Sequence, residues 1–191
     1  MVHADASNFA DGVTKEEAYE QVLLQAEGLF DGQRNWVRPA SLPIYPDTNL
    51  ANTASLLWHA YKSLPSPSSQ VNWAGFYTLD AQKTAKPQLI LGPFQGKVAC
   101  QTIFFGRGVC GAAAATQTTQ LVPDVEKFPG HIACDGDSKS EIVVPIVVGE
   151  GDSRKVVAII DIDCADLNGF DEVDQKYLEQ LAKLLGRSCD W

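Results

Sequence analysis

Three cysteines, Cys100, Cys110 and Cys134, are spaced by 10 and 24 residues, and Cys164 and Cys189 follow later in the chain. A thiolate can act as nucleophile, redox centre or metal ligand, so the first question is which of these the surroundings favour. No C-x-x-C pair occurs, so the usual spacing of a structural zinc site is missing and no metal is expected. Cys110 follows the glycine-rich stretch Gly106-Arg107-Gly108-Val109 at the expected start of a helix, where backbone N–H groups favour thiolate. Cys134 lies in PGHIACDGDSKSE, a segment too polar for the core, near His131 and Lys139. Cys164 or Cys100 taken singly reads as a small buried apolar residue. For His131 two readings stand side by side, a base or a surface residue.

The acids carry a second signal. The run Val156-Val157-Ala158-Ile159-Ile160-Asp161-Ile162-Asp163 reads as a buried strand ending in two carboxylates, and residues two apart on a strand face the same side. Glu141, at the start of the preceding strand, can meet them, because hairpin strands are neighbours. Three carboxylates at one mouth would raise each other's pKa and hold a proton near neutral pH, or would hold a cation; the plainer alternative is three solvated strand ends. Trp73 and Tyr77 flank Gly75 by the same alternation, which makes them one wall of a small apolar slot or two packed core aromatics.

The elements that must position these residues follow from periodicity. Thr14-Lys15-Glu16-Glu17 reads as a capping box for a helix over 14–30, and Leu50, Ala54, Leu57 and Tyr61 mark a second helix stopped near Leu64 by a Pro- and Ser-rich run. Between them, 31–46 is rich in breakers and reads as an irregular connection. Strands are expected over 71–77, 88–92, 98–104, 119–122, 141–148 and 155–163, with a short helix over 112–115 and a long polar loop over 123–139. Gln95-Gly96 reads as a link between strands. A closing amphipathic helix over 171–185 carries Val173, Tyr177, Leu181 and Leu184 on one stripe. The order predicts an α+β domain with a central, mostly antiparallel β-sheet flanked by α-helices.

Composition sets bounds on partners. The chain has 191 residues, 45% of them hydrophobic, with 4 Trp, 8 Phe and 5 Tyr, enough to fill one core. We expect a flexible segment over 1–13 and a single domain over 14–191. The 15 Lys+Arg against 24 Asp+Glu leave a net charge of -9, which repels phosphate backbones and anionic lipid, so neither nucleic acid nor membrane is an expected partner. Five cysteines, an odd number, in a chain of this size argue against a secreted disulfide scaffold. With no basic-then-apolar start over 1–13 and no spanning segment, the expected location is the reducing cytoplasm.

Taken together, NWAGFY at 72–77, LGPFQGKVAC at 91–100, GRGVCG at 106–111, FPGHIACD at 128–135, SEIVVPI at 140–146 and IIDIDC at 159–164 resemble the free methionine-(R)-sulfoxide reductases, a family built on a GAF domain. The resemblance covers roughly 45–185. It implies a GAF-like fold, often as a homodimer, that reduces free methionine-(R)-sulfoxide without a cofactor and is recycled by thioredoxin. Cys134 matches the family's nucleophile and Cys100 its resolving partner. Cys110 matches a family cysteine that serves either as alternative partner or more directly. Glu141 and Asp163 would serve the sulfoxide oxygen as proton donor and hydrogen-bond partner, and Asp161 would pair the substrate ammonium. Trp73 and Tyr77 would border the S-methyl group, and backbone N–H groups near Ile132, Ala133 and Cys134 would meet the carboxylate. Two other classes remain in view: a ligand-binding or redox-sensing GAF module without turnover, and a metal-dependent enzyme using the three carboxylates with His131.

Overall fold

The computed structural model describes residues 8–32, 34, 48–82, 85–132 and 134–191. The irregular connection expected over 31–46 therefore falls largely outside the described residues, as do Met1 to Ser7 of the N-terminal segment. Helix α1, Lys15–Phe30, begins at the expected capping box: the Thr14 side chain accepts from the Glu17 N–H while the Glu17 carboxylate accepts from the Thr14 N–H. Helix α2 is Thr48–Ser63, α3 is Gly108–Thr116 and α4 is Glu172–Ser188, the last opened by a second capping box at Asp171. No helix among the described residues is long and apolar enough to cross a membrane.

Among the described residues six strands form one antiparallel sheet: β1 Val71–Leu79, β2 Gln88–Gly96, β3 Thr102–Phe104, β4 Gln120–Val122, β5 Ser140–Val148 and β6 Lys155–Cys164, in the spatial order β3-β2-β1-β6-β5-β4. Both faces of the central strands are covered, and strand alternation divides the side chains between two cores. Ala158, Ile160, Ile162 and Cys164 of β6 join Ala74, Phe76, Ile142, Val144 and Ile146 under α1, α2 and α4. Ile159 joins Trp73, Tyr77, Val143 and the buried side of α3 on the other face. Asp161 and Asp163 continue the Ile159 row, so they share the α3 face as the alternation predicts.

The helical core also contains a buried polar knot. The Asp174 carboxylate accepts from the Tyr19 hydroxyl at 2.8 Å, the Tyr61 hydroxyl at 3.0 Å and the Asp171 N–H at 2.8 Å, and Lys15 Nζ lies 2.6 Å away. The same capping box that starts α4 thus also anchors α1 and α2. Phe9 and Val13 pack onto this side of the molecule, ahead of α1.

Two expectations require correction. The strand expected over 98–104 is confined to Thr102–Phe104, while β2 runs on to Gly96 through the residues read as a link. The reason is tertiary: past Gly96 the Lys97 carbonyl accepts from the Trp73 indole N–H, Val98 faces solvent and Cys100 is bonded to Cys134. The short helix expected at Ala112 begins at Gly108, so the glycine-rich stretch is its first turn. Gly108 has φ +62°, a conformation that glycine adopts without penalty, and it seats Ile132 against the start of the helix.

Candidate active site

The register of the sheet assembles the acids. Trp73 of β1 pairs with Asp163 of β6, and Asp163 pairs with Glu141 of β5, so these residues form one transverse row. The next row runs from Phe94 of β2 through Gly75 and Asp161 to Val143. Gly75 lets β2 approach closely: a Cβ there would collide with the Phe94 Cβ and stand 2.7 Å from its Cα. Trp73 stacks on Tyr77 at 5.8 Å and on Phe94 at 5.2 Å between ring centroids. Both Trp73 and Tyr77 are buried beside the acids. Phe94 is a third member that the alternation reading missed, because Pro93 and Gly92 make its segment look like a strand end.

Helix α3 lowers Cys110 onto the acids. Its thiol donates to Glu141 Oε1 at 3.5 Å, and Cys110, Glu141 and Asp161 each offer an atom within 4.8 Å of the others. Burial and the neighbouring negative charges push the Glu141 carboxyl well above the usual range. Burial, then the charge of Asp161, does the same to Asp163, which also hydrogen-bonds to Ser138. Asp161 rises less, to about 6, because burial is opposed by hydrogen bonds from Cys110 and Glu141. One of its oxygens, Oδ1, is buried without a hydrogen-bond partner. All three acids are therefore pushed up, burial being the largest cause for each.

Cys110 corrects the argument from helix position. It does lie in the first turn of α3, but burial and the charges of Asp161 and Glu141 push its thiol far up, overriding the helix dipole. It stands as a neutral thiol hydrogen-bonded to an acid.

Cys134 is exposed and forms a disulfide with Cys100, with 5.7 Å between their Cα atoms across a separation of 34 residues. This overturns the reading of Cys100 as a buried apolar residue, whereas Cys164 is buried as expected and Cys189 is buried too. Ile132 is exposed beside Gly108, so the Cys134 loop borders the first turn of α3, whose N-cap Arg107 makes no side-chain cap. Ala133 lies outside the described residues. His131 is partly buried, which pushes its pKa down. Among the described residues, the donors close enough to share a cation are Cys110, Glu141 and Asp161, a group without His131.

Residues 51–188 match the family model of the GAF domain. The free methionine-R-sulfoxide reductase of Saccharomyces cerevisiae is 57% identical over 187 residues, covering 98% of this chain and 94% of that protein. The Escherichia coli protein of the same name is 45% identical over 136 residues, 71% of this chain and 73% of the relative. A solved free methionine-R-sulfoxide reductase from Neisseria meningitidis, in complex with its substrate, superposes with a TM-score of 0.76 at 38% identity, covering 95% of each chain. The sheet order, the cysteine spacing and the buried acids thus accompany full-length similarity, and the chain belongs to the GAF-domain family and, within it, to the free methionine-R-sulfoxide reductases.

Proposed function

We propose that this protein reduces free L-methionine-(R)-sulfoxide to L-methionine, with Cys134 as nucleophile, Cys100 as resolving thiol and thioredoxin as the dithiol that restores them. The observation that carries the reading is the Cys100–Cys134 disulfide in a protein whose α3 face holds three buried or part-buried acids. Attack of the Cys134 sulfur on the sulfoxide sulfur requires the oxygen to gain protons, and an acid held neutral at working pH is a suitable donor. Glu141 and Asp163, whose pKa values burial pushes well up, take the oxygen. Asp161, which holds a buried oxygen without a hydrogen-bond partner, takes the substrate ammonium.

Transfer of the oxygen leaves methionine and a sulfenic acid on Cys134. The Cys100 thiol then displaces water to give the disulfide, which thioredoxin reduces. Trp73 and Tyr77 border the S-methyl group. Backbone N–H groups around Ile132 to Cys134, beside the positive end of α3, receive the carboxylate. Capture of both main-chain charges of one amino acid selects a free substrate over a peptide-bound one. Cys110, beside Glu141, serves as a second thiol partner or as part of the acid group.

Incubation with racemic methionine sulfoxide, thioredoxin, its reductase and NADPH tests the proposal. Release of methionine until one epimer is exhausted is the expected result. Saturable binding with no methionine released would instead identify a sensing module.

A further inference from the structure

The disulfide joins two loops, and neighbouring residues of β1 hold both of them. The Trp73 indole N–H donates to the Lys97 carbonyl at 3.2 Å, which ties down the loop carrying Cys100. The Asn72 side-chain amide donates to Ser138 Oγ at 3.0 Å and to Asp135 Oδ2 at 3.3 Å, which ties down the loop carrying Cys134. Lys97 then bridges the loops directly. Its ammonium lies 3.4 Å from Asp135 Oδ2 and 2.5 Å from Asp137 Oδ2. None of these tethers uses sulfur.

We propose that Lys97 is a positioning residue for the thiol–disulfide step: by pairing with Asp135 and Asp137 it holds the Cys100 loop against the Cys134 loop when the two sulfurs are not bonded. A dithiol closes to a disulfide in proportion to how often its sulfurs meet, so a cross-loop ion pair raises their effective concentration. In the catalytic cycle the Cys100 sulfur attacks the sulfur of the Cys134 sulfenic acid. The S–S bond forms, the S–O bond breaks, and the hydroxyl leaves as water with the proton of the Cys100 thiol. The oxidising equivalents come from the sulfoxide already reduced. This kinetic part rests on the reductase reading, whereas the effect on the dithiol–disulfide equilibrium holds for any reaction the pair performs.

Lys97 and Asp137 are both exposed, and an exposed ion pair contributes a modest few-fold factor that salt screens. Equilibration of the full chain in glutathione redox buffers, read by mass spectrometry, is therefore expected to show the disulfide about three-fold less favoured in Lys97→Met than in the wild type. Lys97→Arg keeps the charge and should keep the wild-type value, and Asp137→Asn should follow Lys97→Met. Raising the ionic strength should move the wild type towards Lys97→Met and leave that variant unchanged. After one sulfoxide turnover without reductant, the Cys134 sulfenic acid, trapped with a cyclic dione, should live correspondingly longer in Lys97→Met. Equal redox equilibria for wild type and Lys97→Met at low salt would overturn the proposal. A shifted equilibrium in proteins that never form the sulfenic acid would support the positioning role and overturn the reductase reading.

Discussion

Glu141 and Asp163 are paired in register on adjacent strands, so two carboxyl groups start from directly opposed backbone positions on the face covered by α3. Burial is the largest cost of ionising either group, and the charge of Asp161, one position along the same face, adds to it. Proton retention at this pair is thus a consequence of burial beside a third carboxyl, which the strand register brings together.

The pH profile of turnover should be bell-shaped. Asp161 must be ionised to pair an ammonium, so KM should rise as pH falls below about 6. Glu141 and Asp163 must be protonated to serve the leaving oxygen, so kcat should fall on the alkaline side as they ionise. Glu141→Gln should lower kcat by about a hundred-fold or more and remove a proton-donor contribution from the alkaline limb. Steady-state kinetics across pH check both limbs, and an unchanged profile in Glu141→Gln would remove it from the role.

The contribution of the same acids to stability runs against function on its acid limb. They bind protons more tightly in the fold than in the unfolded chain, so their contribution is greatest at low pH and falls as pH rises from the unfolded pKa through the folded one. For Asp161 that window is about pH 4 to 6. Asp161→Asn should therefore stabilise the protein by roughly 1–3 kcal/mol at neutral pH and by much less at pH near 4, measured by urea unfolding at each pH.

The cysteines should separate by role. Cys134→Ser should abolish methionine release, and Cys100→Ser should retain about one equivalent of reduction per chain while losing thioredoxin-dependent cycling. Rapid-mixing assays with and without thioredoxin distinguish these outcomes. Full multiple turnover by Cys134→Ser would end its assignment as nucleophile.

Asp174 offers a purely structural test. Its replacement by Ala leaves the largely buried Lys15 ammonium without its closest partner and removes the acceptor shared by Tyr19 and Tyr61. A loss of about 3–5 kcal/mol in unfolding free energy is expected, with the disulfide chemistry intact in whatever fraction remains folded.

The local elements were legible because their signals are local. Thr14 and Glu17 announce the start of α1, and the run ending in Asp161 and Asp163 announces both β6 and the shared face of its acids. The strand expected at Val98 failed because the contacts made by residues 97–100, the Trp73 indole on the Lys97 carbonyl and the bond from Cys100 to a residue 34 positions away, have no periodic signature. Lys97 was missed for the same reason: its partner Asp135 belongs to another segment.

By itself, then, the sequence determined which residues alternate onto one face, where α1 and α4 begin and which residue types were available for redox and acid chemistry. Those properties depend on neighbours within a few positions. Only the tertiary structure decided that Cys110 is a buried neutral thiol rather than an activated one, that Glu141, Asp161 and Asp163 meet in a buried group with raised pKa values, and that Cys100 is bonded rather than buried. Desolvation and the meeting of charges depend on what distant strands and loops bring together, and that is a property of packing and register.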